Sequence, residues 1–206
     1  MPDFSFEKET RAVGWRTVCG VDEAGAGPLC GPVYAAAVIL PESCELPGLD
    51  DSKKLTEKKR EALFPLIQKR ALAWSVAWVG EREIDAADIL SARLKAMQLA
   101  IDGLSIPADY ALIDGNRDRG KCAEIKIPHR CIVKGDSLSI SIAAASVLAK
   151  VSRDRFVVDV LDKQYPQYCF AKHKGYGTAL HRELLEQYGP CPAHRMSFIK
   201  KWIKQT

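Results

Sequence analysis

The chain has 206 residues, 47% hydrophobic and 27% charged, with a formal charge of +4: enough for one well-buried globular domain, and a polyanionic partner is permitted without being demanded. Its seven cysteines are odd in number and lack any C-x-x-C pair, which argues against a disulfide framework and against structural zinc and fits a reducing cytoplasm. The apolar runs at 33–40 and 140–149 are too short to cross a bilayer, and Met1-Pro2-Asp3-Phe4 has neither the basic region nor the apolar stretch of a signal peptide.

Residues 1–16 read as a ragged, partly ordered arm. A short apolar, β-branched run at 17–22 predicts a buried strand that ends in Asp22 and Glu23. Gly25, Gly27 and Pro28 then break it. Neighbouring residues on a strand face opposite sides, so both acids serve one site only if the strand twists or stops there. A dinucleotide loop is excluded by spacing, because the third glycine of G-x-G-x-x-G falls on Cys30; a Walker loop is excluded because no Lys-Ser or Lys-Thr follows. Two acids beside exposed amides suit a metal ion bridging to a phosphate.

The run 33–40 predicts a central strand and 41–51 a loop. Thr56 as N-cap, with Glu57 in the first turn, predicts a helix to 70. A third strand follows at 71–79, then a short helix at 81–87. Leu90, Leu94, Met97, Ile101 and Leu104 repeat at three and four, the spacing of a helix over 89–103. Strands at 110–114 and 131–133 flank a charged loop. A long helix is expected from Ser137 or Ser139 to 163, with further helices at 178–188 and 196–204. Early strands without intervening helices suggest antiparallel pairing, and the later ones, reached through helices, suggest parallel additions. The expectation is one α/β domain over 1–206: a mixed five-stranded sheet flanked by helices, with its core at about 17–165 and a helical C-terminal segment at about 166–206.

Acids close several strands: Asp22 and Glu23 the first, Asp114 the fourth, and Asp136 nearly so the fifth. If those strands are neighbours running the same way, four carboxylates meet at one sheet edge and need cations. Oxygen-only ligands favour Mg²⁺ or Mn²⁺. Two such ions ~3.5–4 Å apart can activate water and stabilise the leaving oxygen of a phosphodiester. Asp102, Asp118 and Asp154 lack this strand-end setting, and the four histidines show no metal spacing, though His173 could relay a proton. Ser52-Lys53-Lys54 precedes a helix N-terminus, a natural phosphate position. Lys134 lies two residues before Asp136, and Tyr176 sits between glycines among cations, where an exposed ring can stack on a sugar or base.

At these residues the sequence resembles bacterial ribonuclease HII. The matching segments are Val21-Asp22-Glu23-Ala24-Gly25, Asp51-Ser52-Lys53-Lys54-Leu55, Leu112-Ile113-Asp114-Gly115-Asn116, Val133-Lys134-Gly135-Asp136-Ser137, the run 143–151, His173-Lys174-Gly175-Tyr176 and His194-Arg195. The resemblance implies a ribonuclease H-like fold and metal-dependent hydrolysis of RNA in RNA–DNA hybrids, including nicking 5′ of a single ribonucleotide in duplex DNA, as in ribonucleotide excision repair. It assigns Asp22, Glu23, Asp114 and Asp136 as catalytic, metal-binding acids. It marks Gly25, Ala26, Gly27, Ser52, Lys53, Lys134, Ser146, Lys174 and Tyr176 as substrate-binding. In the family a Gly-Arg-Gly loop reads the 2′-hydroxyl and adjacent phosphate, and a tyrosine stacks on the following sugar. Here the loop is Gly25-Ala26-Gly27, so the guanidinium fork is missing and weaker binding or slower cleavage is expected. A hybrid-binding protein of the same fold without turnover is the alternative, and the four acids speak for the enzyme. A monomer is expected, with a sliding clamp as candidate protein partner and no membrane.

Overall fold

The structure is a computed structural model and describes residues 1–202. Its sheet has five strands: β1 (Val18–Ala24), β2 (Val33–Ile39), β3 (Ala73–Val79), β4 (Tyr110–Asp114) and β5 (His129–Ile132). Their order is β3-β2-β1-β4-β5, with β1–β2 and β2–β3 antiparallel and β1–β4 and β4–β5 parallel. The mixed sheet expected from the spacing of the strands is the one found.

Both faces of β2 are buried, and its side chains divide by parity as the pleat requires. Val33, Ala35, Ala37 and Ile39 join Leu94, Met97 and Ile101 of α4 (Ile89–Asp102) in one core; Ala36 and Val38 join Leu63 and Ile67 of α2 (Glu57–Arg70) and Ala144 and Leu148 of α5 (Ile140–Phe156) in another. The sheet is thus sandwiched, with α4, preceded by the short α3 (Glu81–Ala86), on one side and α5 on the other. α5 comes close to β1 because position 20 has no side chain: a Cβ on Gly20 would lie 2.2 Å from the Ser141 carbonyl carbon and 2.3 Å from the Ile142 nitrogen. This contact sets the first turn of α5, and the turn that precedes it, against the end of the sheet.

Three expectations need correction. Residues 1–16 are not an arm: Ser5–Ala12 form α1, whose Glu7 is buried and accepts hydrogen bonds from the Ser139 hydroxyl at 2.6 Å and the Ser141 N–H at 3.0 Å. A carboxylate at the positive end of α5 is a favourable placement. The long helix is not regular to 163; α5 gives way to a π-helical stretch at Val157–Leu161 before a last turn, α6 (Asp162–Gln164). The final helix, α9, covers Met196–Ile199, and the rest of the expected 196–204 helix lies partly outside the described residues. Between them α7 (Phe170–His173) and α8 (Ala179–Tyr188) pack a third core of Cys30, Val157, Leu161, Tyr168, Phe170 and Ala193.

Candidate active site

β1 and β4 run side by side with Val21 opposite Ile113, so Asp22 and Asp114 follow at the same level. β5 lies beside β4, and the chain beyond it turns through Lys134, at φ 58°, into a 3-10 turn at Gly135–Ser137. There the Asp136 N–H donates to Asp114 Oδ1 at 3.4 Å. One carboxylate oxygen from each of Asp22, Asp114 and Asp136 lies within 4.8 Å of the others. Three residues separated by up to 114 positions thereby form one cluster, with Asp22 only 3% and Asp136 4% exposed.

Glu23 stands on the other side of the pleat. Its Oε1 meets Arg93 Nη2 of α4 at 2.8 Å, while Oε2 is buried without a hydrogen-bond partner. The first strand does not end at the acids, as expected, but continues to Ala24 along β2; only its pairing with β4 stops at Val21. The sheet is therefore open beside both acids, and Glu23 is near enough for its charge to act on Asp22 and Asp114.

The electrostatics are those of a crowded anionic site. Burial, then the charges of Glu23, Asp114 and Asp136, push Asp22 well above the usual carboxylate range. Burial also raises Asp114, with Glu23 adding to it and the Asp136 N–H opposing. Burial, Asp114 and Asp51 raise Asp136 against the pull of Lys53, whose Nζ lies 3.5 Å from Asp136 Oδ2. Burial alone would lower Lys53, but Asp22, Asp136, Asp51 and Asp114 outweigh it and raise the ammonium. Oxygen-only donors, a shortage of positive charge and the orphaned Glu23 Oε2 fit a hard divalent cation such as Mg²⁺ or Mn²⁺.

Beside the acids the loop at 25–32 is held from beneath by two fully buried arginines. Arg195 donates to four carbonyls: Gly25 at 2.7 Å, Pro28 and Gly31 at 2.9 Å and Ala26 at 3.1 Å. Arg153 donates to Lys174 at 3.0 Å and to Cys30 and Pro32 at 3.2 Å. Gly25, at φ 95°, has no room for a side chain, since a Cβ would lie 2.1 Å from Arg153 Nε. Neither arginine makes an ion pair among the described residues. Burial lowers Arg195 to about 10, which leaves it charged at neutral pH. The loop's carbonyls face these cations, and among the described residues no N–H of Gly25, Ala26 or Gly27 is engaged in a loop hydrogen bond. Sequence reasoning gave neither arginine a role, although Arg195 lies in a matching segment, and it missed Arg93. The available signal was Arg153 falling on the buried stripe of α5 with Ser146 and Ala149.

Tyr176 borders the same loop. The residue is 42% exposed, its Cε1 would lie 4.0 Å from a Cβ on Gly27, and the Lys150 ammonium and Arg153 guanidinium sit 5.7 and 5.9 Å from the ring centroid. Its backbone is fixed by a chain of neutral histidines. The Cys191 N–H donates to His194 Nδ1 at 3.0 Å, so His194 Nε2 carries the proton and donates to His181 Nε2 at 3.1 Å. His181 Nδ1 in turn donates to the Tyr176 carbonyl at 2.9 Å. Burial lowers His181 and His194 to about 4. His173, considered as a proton relay, has both ring nitrogens committed to backbone: Nδ1 accepts from Gly175 N–H and Nε2 donates to the Tyr168 carbonyl.

Of the other expected substrate-binding residues, Lys53 reaches the acids and Lys134 is exposed at the turn that carries Asp136. Ser52 is buried, with its carbonyl accepting from Arg60 at 2.8 Å. Two others are spent locally: the Ser146 hydroxyl donates to the Ala143 carbonyl at 2.8 Å and the Lys174 ammonium to the Ala171 carbonyl at 2.7 Å.

The sequence profile described as Ribonuclease HII matches residues 19–201 of the chain. The Ribonuclease HII of Acetivibrio thermocellus is 50% identical over 198 residues, covering 96% of this chain and 75% of that protein. The solved ribonuclease H2 of Pyrococcus horikoshii OT3 superimposes with a TM-score of 0.73 at 25% identity, covering 92% of this chain and all of that one. An RNase HII from Archaeoglobus fulgidus, solved in complex with PCNA, has the same fold at a TM-score of 0.69 and 23% identity, covering 92% of this chain and 98% of that one.

Proposed function

Since the chain belongs to the ribonuclease HII family, metal-dependent endoribonucleases acting on RNA–DNA hybrids, we propose that it also nicks duplex DNA on the 5′ side of a single embedded ribonucleotide, leaving 3′-hydroxyl and 5′-phosphate ends. The observation that carries this reading is the meeting of Asp22, Asp114 and Asp136 oxygens within 4.8 Å, beside a Glu23 oxygen that lacks a partner. Asp22, Glu23, Asp114 and Asp136 would hold two Mg²⁺ or Mn²⁺ ions, which when bound supply activation of water and neutralise charge at the scissile phosphate.

The chain's own groups do the rest. Lys53, beside Asp136, offers an ammonium to the phosphate, as does Lys134 at the next turn. The free amides of Gly25, Ala26 and Gly27 meet the 2′-hydroxyl, the one group that separates RNA from DNA at a single position. Arg195 and Arg153 hold those amides in place and lend the loop positive charge without touching substrate. Tyr176 stacks on the neighbouring sugar. The segment at about 166–206 thus serves the core at about 17–165 as a substrate-binding arm. Alanine at 26 lowers affinity or rate without changing the reaction.

To the same reading belong a cytoplasmic location, supported by seven free cysteines, a monomeric enzyme and a sliding clamp as partner. Among the described residues no helix is long and apolar enough to cross a membrane. The test is a DNA duplex with one ribonucleotide, incubated with Mn²⁺ or Mg²⁺ and either the native chain or Asp22→Asn. Metal-dependent nicking 5′ of the ribonucleotide, abolished by the substitution, is expected. Binding without nicking by the native chain would instead identify a hybrid-binding protein.

A further inference from the structure

A second group of ligand atoms lies on the edge strand. His129 and Cys131 are two residues apart on β5 and project from the same face. The loop that follows Asp114 returns Asp118 to their side. One atom from each of Asp118, His129 and Cys131 lies within 4.8 Å of the others. His129 and Cys131 lie 11 and 13 residues from Asp118 along the chain, so no local spacing in the sequence groups the three.

Both ring nitrogens of His129 face acceptors. Nδ1 lies 2.7 Å from the Ile127 carbonyl, which only accepts, so Nδ1 bears a hydrogen. Nε2 lies 3.2 Å from Asp118 Oδ2, again an acceptor. A neutral ring has one hydrogen, so a lone pair on Nε2 would face the carboxylate unless a second proton or a cation sits between them. A ring whose Nδ1 hydrogen is anchored on a backbone carbonyl while Nε2 faces another donor atom is the arrangement in which metal-ligating histidines are held. The spacing fits as well. Bonds of ~2.0–2.1 Å at a tetrahedral ion place neighbouring nitrogen and oxygen ligands ~3.3 Å apart.

Sulfur decides the class of ion. Thiolate and imidazole select zinc and similar transition metals, whereas the oxygen-only site at Asp22 suits Mg²⁺ or Mn²⁺. Cys131 is half-buried and unpaired with another cysteine, and Asp118 is exposed. We infer that Asp118, His129 and Cys131 form a zinc-class metal site with three protein ligands, which fastens the 115–128 loop to β5 next to Asp114. No part of this rests on the proposed cleavage reaction.

Cobalt is the probe, because a thiolate-to-cobalt charge-transfer band in the near ultraviolet reports sulfur ligation and is silent for a carboxylate site. The reduced, full-length protein is titrated with Co²⁺. The band is expected to saturate at one equivalent and to be displaced by Zn²⁺. It should be kept in Asp22→Asn and in Cys191→Ser, the latter removing a second thiol close to a histidine, 3.2 Å from His194 Nδ1. It should vanish in Cys131→Ser, and His129→Ala and the surface change Asp118→Asn should each weaken cobalt binding by roughly 10–100-fold. No band in the native chain, a band that survives Cys131→Ser, or cobalt affinity unchanged in both His129→Ala and Asp118→Asn would overturn the site and leave a simple His–Asp ion pair.

Discussion

Replacing Asp22 by Asn should make the metal-free protein more stable while abolishing cleavage. Asp22 is buried, and its oxygens share a 4.8 Å neighbourhood with Asp114 and Asp136. At an effective dielectric constant of 20, two full charges at that distance repel by ~3.5 kcal/mol. Asp22 faces two such neighbours, but shared protons and Lys53, 3.5 Å from Asp136, relieve much of this. Asn keeps the oxygen that accepts the Glu23 N–H at 2.7 Å, so the local geometry survives. A net gain of about 1–3 kcal/mol follows, and for a chain of this size that raises the melting temperature by roughly 3–10 °C.

The pH dependence has a definite sign. Asp22, Asp114 and Asp136 titrate above the ordinary 3.8 when folded, so the native state holds protons that the unfolded chain has released. Their contribution to stability therefore falls as pH rises above 3.8. The buried His181 and His194, lowered from 6.5 to about 4, act in the opposite sense, their share being lost as pH drops through that window. The quantity to follow is the difference between variant and native protein, in which the histidines cancel. Thermal unfolding with chelator should show the advantage of Asp22→Asn widening from pH 4 to pH 7, and saturating Mn²⁺ should reverse the order by stabilising the native chain more. A variant no more stable than the native protein in chelator at pH 7 would refute the crowded-anion account.

Two further substitutions probe the loop. Ala26→Arg should raise cleavage at a single ribonucleotide ten- to a hundredfold, the equivalent of a charge-assisted hydrogen bond of roughly 1.5–3 kcal/mol; unchanged kcat/KM would show that the loop's amides suffice. Arg195→Lys keeps the charge but loses the fork that serves four carbonyls, so urea unfolding should show a loss of about 3 kcal/mol and KM for the hybrid should rise; native stability together with native KM would remove Arg195 as the residue that positions the loop.

Much of this was written locally. The strands expected at 33–40, 71–79 and 110–114 and the helix capped by Thr56 rest on short-range signals of period and turn chemistry, and they are found within two residues of where those signals put them, at Val33–Ile39, Ala73–Val79, Tyr110–Asp114 and Glu57–Arg70. Asp22, Asp114 and Asp136 could be grouped because each comes at or near the close of an apolar run, and parallel neighbours bring those positions to one level. Glu7, Arg153, Arg195 and Asp118 could not be grouped this way. A charged side chain in a helix or loop looks alike whether it faces water or caps a distant helix, and only packing supplies its partner. Burial then makes that partner obligatory: Arg195 is committed to carbonyls 164 to 170 residues away because no water reaches it. Local pattern specifies most of the elements and the chemistry at their ends; packing selects which buried charges meet, because a desolvated ion must be satisfied by whatever the fold brings beside it.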